Sequence, residues 1–587
     1  MMKSIELITP YFKERKAYIL IGLGCLMTVD LLQLMIPRVI KRAVDDMTLK
    51  SIEAATLLRY ALYIAGMALA MGLFRYLWRR FLLGTSRRVE EGLRNRLFSH
   101  LQTLSAGYFD HTKTGDLMAH ATNDIQQIRM ASGMGLVAIN DAIVLGIAAI
   151  GFMAYINVQL TCLVLIPMPL IVLGTRFFGR KMHARYRDVQ ASFARLTEGI
   201  RERFAGIRVV KAYTREGAES RRVSALSNGY VNENIRLVRV TGAFFPMMLL
   251  FTNLSLAIVL LIGGRKTITG TITPGDFVAF IQYLNLLTWP MMALGWVTNL
   301  IQRGRASLER IEAILATPPA IADTPGAVQM ERLAGKIQWR QVSFAYPRQD
   351  EADAAPRVLK DITLTIPAGR TVGIVGPPGS GKSTLLQLLP RIYDISSGKI
   401  EIDGRDIRDL RLRDLRGRIT LVPQEPFLFS GTILENLTLG ASAIPRERVA
   451  EIIDRAALTT TIAALPQGLD TVVGEKGVIL SGGQKQRLAL ARALLRGGDM
   501  LLLDDPISQV DLATGRRISA TLQKLSARQT TLIVSHRLAA LSFADTIITM
   551  DGGRIVEQGN HAGLMAGDNY YSRNYKLQEM EAQLHAD

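Results

Sequence analysis

The chain has 587 residues, enough for two or more domains with cores of their own. Hydrophobic residues make up 49% of it, yet 70 lysines and arginines against 51 aspartates and glutamates give a formal net charge of +19. This composition argues against an ordinary soluble enzyme. It leaves two classes, a membrane protein with basic loops and a protein that binds nucleic acid.

Six apolar stretches, each close to the roughly 20 residues that span a bilayer, lie before about residue 300. They cover residues 18–40, 57–78, 134–156, 158–178, 243–263 and 276–300. Buried helices of a soluble bundle are the alternative, but six such stretches in one half of a chain favour a membrane. The sequence predicts a polytopic α-helical membrane domain over residues 1–315. Cys25 and Cys162 lie in these apolar stretches and are predicted to be buried apolar side chains.

Two long basic segments connect some of these stretches. Residues 79–133 and 179–242 have apolar residues at every third or fourth position, as helices do. Because basic loops stay in the cytoplasm, both segments and both termini are predicted to be cytoplasmic, which explains the charge without nucleic acid. Short breaks at 108–125 and 204–219, at the tips of these helical hairpins, are predicted to contact another domain.

Polar residues interrupt the predicted spans. Asp30 lies midway along the first, and Asn140 and Asp141 lie in the third. Ionisable groups in a membrane are costly and suggest function. Asp30 either attracts a cationic substrate or pairs with a polar group across the bundle, and we favour the pairing. Trp289 and Trp296 in the sixth span either line a cavity or pack and anchor the helix.

Proline, alanine and glycine mark residues 316–330 as a linker. Beyond it, strand-like runs alternate with helical ones, which predicts an α/β domain with a largely parallel sheet over residues 331–570. Residues 571–587 are predicted to be a helical tail.

The most specific motif is "GPPGSGKS", which follows an apolar strand, precedes a helix and fits G-x-x-x-x-G-K-[ST]. Backbone N–H groups of such a loop cradle phosphates, Lys382 reaches the β- and γ-phosphates, and Ser383 can ligate magnesium. The predicted nucleotide-binding residues here are Gly376, Pro377, Pro378, Gly379, Ser380, Gly381, Lys382, Ser383 and Thr384.

Further motifs follow in chain order. Gln424 follows a strand, "LSGGQ" places Ser481, Gly482, Gly483 and Gln484 at the start of a helix, and His536 follows another strand. The apolar strand "MLLLD" ends in Asp504, a common way to hold magnesium. Tyr346, in "VSFAYP", offers a flat surface for a base. Each of these has a structural explanation alone, but the ordered set favours the functional one.

This set resembles the ATP-binding cassette, whose signature "LSGGQ" separates it from other P-loop ATPases. Six spans followed by one cassette resemble a half-transporter of the ABC exporter type, and the similarity covers nearly the whole chain. It implies ATP and Mg²⁺ as cofactors, hydrolysis coupled to export, and a plasma (bacterial inner) membrane location with a cytoplasmic cassette. It also implies two cassettes dimerised head to tail, each ATP lying between one phosphate loop and the other subunit's signature.

The resemblance further implies single roles. Tyr346 stacks on adenine, Asp504 holds magnesium, and His536 contacts the γ-phosphate. Gln424 senses magnesium and the membrane domain, while the signature and Asp511 serve the shared interface. The two loop tips resemble coupling helices, and "TVVGEKG", around Glu475, resembles the exporter X-loop.

One position departs from the family. Members usually carry a glutamate after the magnesium aspartate, where it orients or deprotonates the attacking water, and here Asp505 stands there. Its side chain is shorter by one C–C bond, about 1.5 Å. We therefore expect binding of ATP and magnesium to persist and hydrolysis to slow, unless the backbone restores the reach. "SQVD" also replaces the usual small-residue D-loop, so Gln509 is a candidate for altering communication between the two sites.

A shortened carboxylate beside an intact signature resembles one chain of a heterodimeric multidrug-type exporter. The predicted function is export of a hydrophobic or amphipathic substrate, drug- or lipid-like, together with a second half-transporter in membrane lipid. Alternatives are a homodimeric exporter, an ATP-gated channel or regulatory subunit, and a soluble ABC protein acting on nucleic acid. No feature of the sequence identifies the substrate.

Overall fold

A computed structural model describes residues 5–48, 53–347, 356–439, 444–474, 477, 479–526 and 529–584. The chain forms two compact units. The first comprises Met1–Gln102 and Thr114–Thr317, and the second comprises Thr103–Lys113 and Pro318–Asp587.

Within the described residues, the first unit has six helical runs that are long and apolar enough to cross a membrane. These runs are Lys16–Thr48, Ala54–Leu101, Thr114–Ile156, Val158–Ala205, Glu216–Ile268 and Pro274–Ala316. Each contains one predicted apolar stretch and extends beyond it, which confirms the six spans and the helical character of the basic segments. The longest has 53 residues, which is about 80 Å at 1.5 Å per residue and more than twice the thickness of a hydrocarbon core.

Local capping explains where two of these runs begin. Asn157 separates two of them, and its side chain accepts a hydrogen bond from Leu160 N at 2.9 Å, so one residue suffices to end one helix and start the next. Thr273 and Asp276 form a reciprocal capping box, and Pro274 occupies the first helical turn. Short helices precede or connect the runs: Thr9–Glu14, Ala106–His111 and Ile207–Ala212.

The helices of the first unit pack through buried apolar side chains. The largest of these clusters includes Leu34, Met153 and Phe280, and the Tyr283 hydroxyl donates to Leu34 O at 3.0 Å. Both cysteines are free thiols. Cys25 is buried as predicted, whereas the prediction for Cys162 is wrong. It is exposed, because the packing of the described helices leaves its position uncovered.

The second unit contains ten strands among its described residues. They are β1 Ile337–Phe344, β2 Leu359–Ile366, β3 Thr371–Val375, β4 Ser397–Ile402, β5 Arg405–Asp406, β6 Ile419–Val422, β7 Met500–Asp504, β8 Thr530–Val534, β9 Thr546–Asp551 and β10 Arg554–Gly559. Strands β2-β1-β4-β5 form an antiparallel sheet. The second sheet has the order β10-β9-β3-β8-β7-β6 and is parallel except for β10. This confirms the α/β domain with a largely parallel sheet.

Helices of the second unit pack on this parallel sheet and on one another. Among the described residues they span Lys382–Leu388, Leu412–Arg418, Ile433–Thr438, Arg446–Arg455, Thr459–Ala463, Gly482–Arg496, Leu512–Ser526, His561–Met565 and Tyr570–Leu584. Every residue of β3, β7 and β8 is buried. Successive residues of β7 enter different apolar clusters, Leu501 and Leu503 in one and Leu502 in the other. Side chains of a strand alternate between faces, so both faces of the sheet are covered, which is typical of parallel sheets.

The predicted linker lies between the last long helix, which ends at Ala316, and β1. Within it, Val328 forms a β-bridge with Leu410, so this part of the segment is tied to the second unit.

Candidate nucleotide site

Strand order explains why residues distant in sequence meet. Strands β3, β8, β7 and β6 are parallel neighbours, so their carboxyl ends lie at one edge of the sheet. The loop from Gly376 follows β3 and Asp504 ends β7, while His536 and Gln424 each lie two residues beyond the ends of β8 and β6. This edge is the candidate nucleotide site.

The phosphate-binding loop depends on its glycines. Gly381 has a φ of 98° and directly precedes the helix that begins at Lys382. A Cβ on Gly376 would lie 2.1 Å from Met550 O, so no larger residue fits there. The Lys382 ammonium donates to Gly376 O at 2.9 Å and to Pro377 O at 2.7 Å. The loop is therefore a tight backbone turn closed around a buried cation.

Asp504 lies directly against this loop. It is 4% exposed, and burial raises the pKa of its carboxyl, opposed by a hydrogen bond from the Ser383 hydroxyl. Burial also lowers the pKa of Lys382, opposed by the charges of Asp504 and Asp505. A hydroxyl and a carboxylate side by side are hard oxygen ligands of the type that magnesium prefers, so this pair fits a magnesium ion shared with nucleotide phosphates.

Asp505 occupies a strained and enclosed position. Its φ is 52°, it is 2% exposed, and its N–H donates to Val534 O at 2.9 Å. Burial raises the pKa of its carboxyl, while the His536 imidazole, the His536 backbone N–H, Arg537 and Ser535 oppose this. One carboxylate oxygen, Oδ1, is buried without a hydrogen-bond partner. Asp505 is thus held among the groups of the loop after β8.

The other residues predicted for the nucleotide site lie around the phosphate loop and Asp505. His536 and Gln424 are exposed on their loops. Tyr346 is half-buried, its hydroxyl shares a 2.9 Å hydrogen bond with Thr384, and its ring meets Tyr393 edge to face at 5.1 Å. Tyr346 is thereby tied to the helix that starts in the phosphate loop. Glu475, predicted for the X-loop, lies outside the described residues.

The signature forms a separate exposed helix start. Ser481 and Gln484 make a reciprocal capping box at the beginning of the Gly482–Arg496 helix. A Cβ on Gly482 would lie 2.0 Å from Gln509 Oε1, and one on Gly483 would lie 2.4 Å from Gln509 O. The structure places the signature against Gln509 rather than at this chain's phosphate loop. Asp511, two residues on, accepts from Thr514 N at 2.9 Å and caps the next helix.

Two glutamines that sequence reasoning missed join these parts. The Gln486 amide donates to Asp505 O and, at 3.0 Å, to Ser508 Oγ, and it accepts from Gln509 N at 3.1 Å. It therefore connects the end of β7 to the signature helix. Gln578, on the C-terminal helix, donates to His536 O at 2.7 Å and accepts from Leu538 N at 2.9 Å. A single glutamine inside a helix carries no local pattern that could have indicated either role.

The segment Thr103–Lys113 belongs to this second unit. His111 Nε2 donates to Pro347 O at 2.7 Å, and the Tyr393 hydroxyl donates to Asp110 Oδ2 at 2.9 Å. Burial, and then the hydrogen bond to Asp110, raise the pKa of Tyr393. Because Tyr393 also contacts Tyr346, this segment reaches the surroundings of the nucleotide site.

Comparison with known proteins agrees with this geometry. A profile described as ABC transporter transmembrane region matches residues 19–291, and one described as ABC transporter matches residues 359–508. The chain is 34% identical over 586 residues to "Multidrug resistance-like ATP-binding protein MdlA" of Escherichia coli (strain K12), covering 99% of this chain and 98% of that protein. This chain belongs to the ABC transporter family.

Similarity to other ABC transporters and to one solved structure indicates which type of ABC transporter the chain is. "Probable multidrug resistance ABC transporter ATP-binding/permease protein YheI" of Bacillus subtilis (strain 168) is 34% identical and covers 97% of both chains. "ATP-dependent lipid A-core flippase" of Syntrophus aciditrophicus (strain SB) is 33% identical and covers 96% of this chain and 92% of that protein. "Structure of a bacterial Atm1-family ABC exporter with ATP bound" matches with a TM-score of 0.78 and 28% identity, covering 96% of this chain and 98% of that one. The chain is therefore a multi-span ABC transporter of the exporter type that binds ATP and couples its hydrolysis to transport.

Proposed function

We propose that this ABC transporter is one half of a heterodimeric exporter whose two ATP sites are unequal. The site built on this chain's phosphate loop binds ATP and magnesium and hydrolyses slowly. The signature of this chain completes the second site, on the partner, which performs most of the turnover. Dimerisation is head to tail, so neither chain alone forms a complete site.

The observation that carries this proposal is Asp505. It follows Asp504 at the end of β7, where the resemblance calls for a glutamate. Its backbone N–H is bound by Val534, and its carbonyl oxygen is bound by Gln486. These two hydrogen bonds hold the backbone of Asp505 on both sides of its side chain. They oppose a backbone shift that would bring the carboxylate ~1.5 Å closer to the water, the reach that a glutamate would have. General-base assistance is worth roughly 10²- to 10⁴-fold and requires hydrogen-bond reach to the water.

The other residues of the site retain what binding requires. Lys382 supplies a cation within the loop for the phosphates, and Ser383 and Asp504 would hold magnesium, which neutralises phosphate charge when bound. We propose that Tyr346 presents its ring to the adenine, His536 contacts the γ-phosphate, and Gln424 senses magnesium. Strong binding with weak turnover is the expected result.

The signature supports the second half of the proposal. Ser481, Gly482 and Gly483 stand at the exposed start of a 15-residue helix, whose N–H groups and dipole favour an anion. Gln486 connects this helix to the carbonyl of Asp505, so the part of the chain that serves the partner's nucleotide is bonded to its own site. We propose that Gln509 and Asp511 carry communication between the two sites.

For the membrane domain we propose residues 1–315, followed by a linker at 316–330, the cassette at 331–570 and a helical tail at 571–587. Both termini and the cassette are cytoplasmic in the bacterial inner membrane, and the tips at 108–125 and 204–219 transmit movement from the cassettes. The exported substrate is hydrophobic or amphipathic and drug- or lipid-like. The names of relatives, multidrug resistance-like proteins and a lipid A-core flippase, support this substrate class.

A homodimeric exporter is the second candidate, because one observation favours it. Asp505 is still a carboxylate, and its buried Oδ1 has no hydrogen-bond partner, so a water could be held there. In that case two copies of this chain would form two equal, slow sites.

The experiment that separates the two compares ATP hydrolysis by the purified chain alone with hydrolysis by the chain co-expressed with candidate partner half-transporters. The proposal predicts little substrate-stimulated turnover alone and substantial turnover in one pair. Robust, cooperative turnover by the chain alone would establish the homodimer instead.

A further inference from the structure

The loop between β7 and the next helix lies against the signature of the same chain. It covers residues 505–511, and its backbone is held from two sides. On one side Gln486, in the signature helix, accepts a hydrogen bond from Gln509 N at 3.1 Å. On the other side the Arg537 guanidinium donates to Val510 O at 2.7 Å. These bonds hold the backbone on both sides of the Gln509 side chain, which therefore starts from a fixed place beside the signature.

The Gln509 side chain lies over the start of the signature helix. Gly482 and Gly483 are the first two residues of that helix. A Cβ on Gly482 would lie 2.0 Å from Gln509 Oε1 and 3.8 Å from Gln509 Nε2. Because the Cα–Cβ bonds of a helix tilt toward its N-terminus, an atom so close to that Cβ position lies at the N-terminal end. The amide therefore presents its oxygen, and not its nitrogen, to the helix start.

An amide oxygen is favourable at this end of a helix. The first N–H groups of a helix have no acceptor within it, and the helix dipole places partial positive charge there. The Ser481 hydroxyl satisfies one of these groups, because it accepts from Gln484 N. The Oε1 of Gln509 adds a second partly negative oxygen, beside Gly482. A neutral acceptor of this chain thus occupies the same helix end that attracts a phosphate.

The Gln509 side chain can move away without disturbing the loop. A Cβ on Gly483 would lie 2.4 Å from Gln509 O, but this is a backbone contact that any residue at position 509 would keep. The side chain itself is exposed, and among the described residues no hydrogen bond holds its amide. Rotation about the side-chain bonds would therefore uncover Gly482 and leave the backbone contacts of the loop intact.

We propose that Gln509 is an autoinhibitory residue, whose amide covers the signature of the unassembled chain and is displaced when the partner's nucleotide binds there. This inference rests on the proposed function in one respect, that the signature serves the nucleotide of the partner. A phosphate oxygen that approaches Gly482 meets Gln509 Oε1, and neither oxygen has a proton to donate to the other. The side chain has to turn away before the partner's site closes, which raises the ATP concentration that turnover requires.

The test separates KM from kcat for ATP. It uses whichever full-length assembly hydrolyses ATP in the experiment above, the co-expressed pair or the chain alone, and initial rates are measured against ATP concentration. Gln509→Ala removes the covering amide and should lower the KM by roughly two- to tenfold, the effect of one neutral polar contact, with kcat within about twofold. Gln509→Glu places a negative charge beside the incoming phosphate and should raise the KM by roughly tenfold or more.

Gln523→Ala is the matched control variant. Gln523 is an exposed glutamine on the Leu512–Ser526 helix, roughly 17 Å from the start of that helix at 1.5 Å per residue. This variant should keep the kcat and KM of the unmodified protein. Gel filtration detects a variant that fails to fold. If Gln509→Ala fails, Gln509→Asn replaces it, because its amide is shorter by one C–C bond and should shift the KM in the same direction.

Opposite shifts of the KM by the alanine and glutamate variants are the decisive result. An unchanged or higher KM in Gln509→Ala overturns the proposal, as does a shift in the same direction by both variants, which is what a merely structural role produces. The failure of the heterodimer is a separate result. If the chain alone hydrolyses ATP, the heterodimer fails and Gln509 is tested in the homodimer. If a pair hydrolyses ATP and its KM does not respond to Gln509, the autoinhibitory role fails and the heterodimer stands.

Discussion

Lengthening one side chain should increase hydrolysis at this chain's own site. Asp505→Glu adds one C–C bond, ~1.5 Å, directed from a buried backbone position toward the loop after β8. If the short side chain limits the hydrolysis rate, Asp505→Glu should raise that rate by about as much as general-base assistance contributes, which is at least roughly 10²-fold. We expect the lower bound, because the φ of 52° at this position suits aspartate better than glutamate.

The assay is single-turnover release of phosphate by the co-expressed pair. The partner's catalytic glutamate is replaced by glutamine so that hydrolysis at this chain's site is what is measured, and nucleotide binding is measured in parallel. ATP and magnesium should bind unmodified chain, Asp505→Glu and Asp505→Asn alike, while hydrolysis rises only in Asp505→Glu. Asp505→Asn is the matched control, because it keeps the size and removes the base. The reasoning is refuted if Asp505→Glu is no faster than the unmodified chain, or if Asp505→Asn loses 10²-fold or more of the original rate, since Asp505 would then already act as the base.

Three further predictions concern Asp505, Gln578 and the membrane topology. Burial raises the pKa of Asp505 in the folded protein, so the folded state loses stability as pH rises through that pKa and the carboxyl ionises. Asp505→Asn, which stays neutral, should therefore have a higher melting temperature than the unmodified chain at pH 7.5. The difference in melting temperature should shrink toward pH 4, where the aspartate is also protonated. Gln578→Ala removes two hydrogen bonds to the loop of His536, each worth roughly 0.5–1.5 kcal/mol, and should slow hydrolysis several-fold with little change in ATP binding, unlike the control Gln583→Ala on the same helix. For topology, Thr271→Cys should react with an impermeant thiol reagent in intact cells in a background with Cys25 and Cys162 replaced, and Lys113→Cys should not; labelling of Lys113→Cys from outside contradicts the predicted orientation.

The parts of the molecule that depend on local sequence were predictable. The six spans, the parallel sheet, the phosphate loop and the strand that ends in Asp504 each follow from a periodicity or a motif within about twenty neighbouring residues. The signature helix start is of the same kind, since a serine before glycine and a glutamine three residues later is itself a capping pattern.

Features that depend on packing were not predictable. The prediction that Cys162 is buried was wrong, because apolar composition does not tell which face of a helix is covered by neighbouring helices. Gln486 and Gln578 are bound to partners 19 to 42 residues away, and only the tertiary arrangement brings those groups together. The sequence indicated that Asp30 was paired, and Asn140 Nδ2 donates to its Oδ2 at 3.0 Å, but the cavity of about 300 Å³ beside it arises from four helices that meet in space.

Two variants of the heterodimer test the central claim of unequal sites most directly. Steady-state ATP hydrolysis is measured for the co-expressed pair with either Asp505→Ala or Ser481→Trp, the latter crowding the exposed helix start that serves the partner's nucleotide. The account predicts that Asp505→Ala lowers total hydrolysis only modestly, while Ser481→Trp nearly abolishes it. The reverse order, with Asp505→Ala silencing the pair and Ser481→Trp close to normal, would contradict the account.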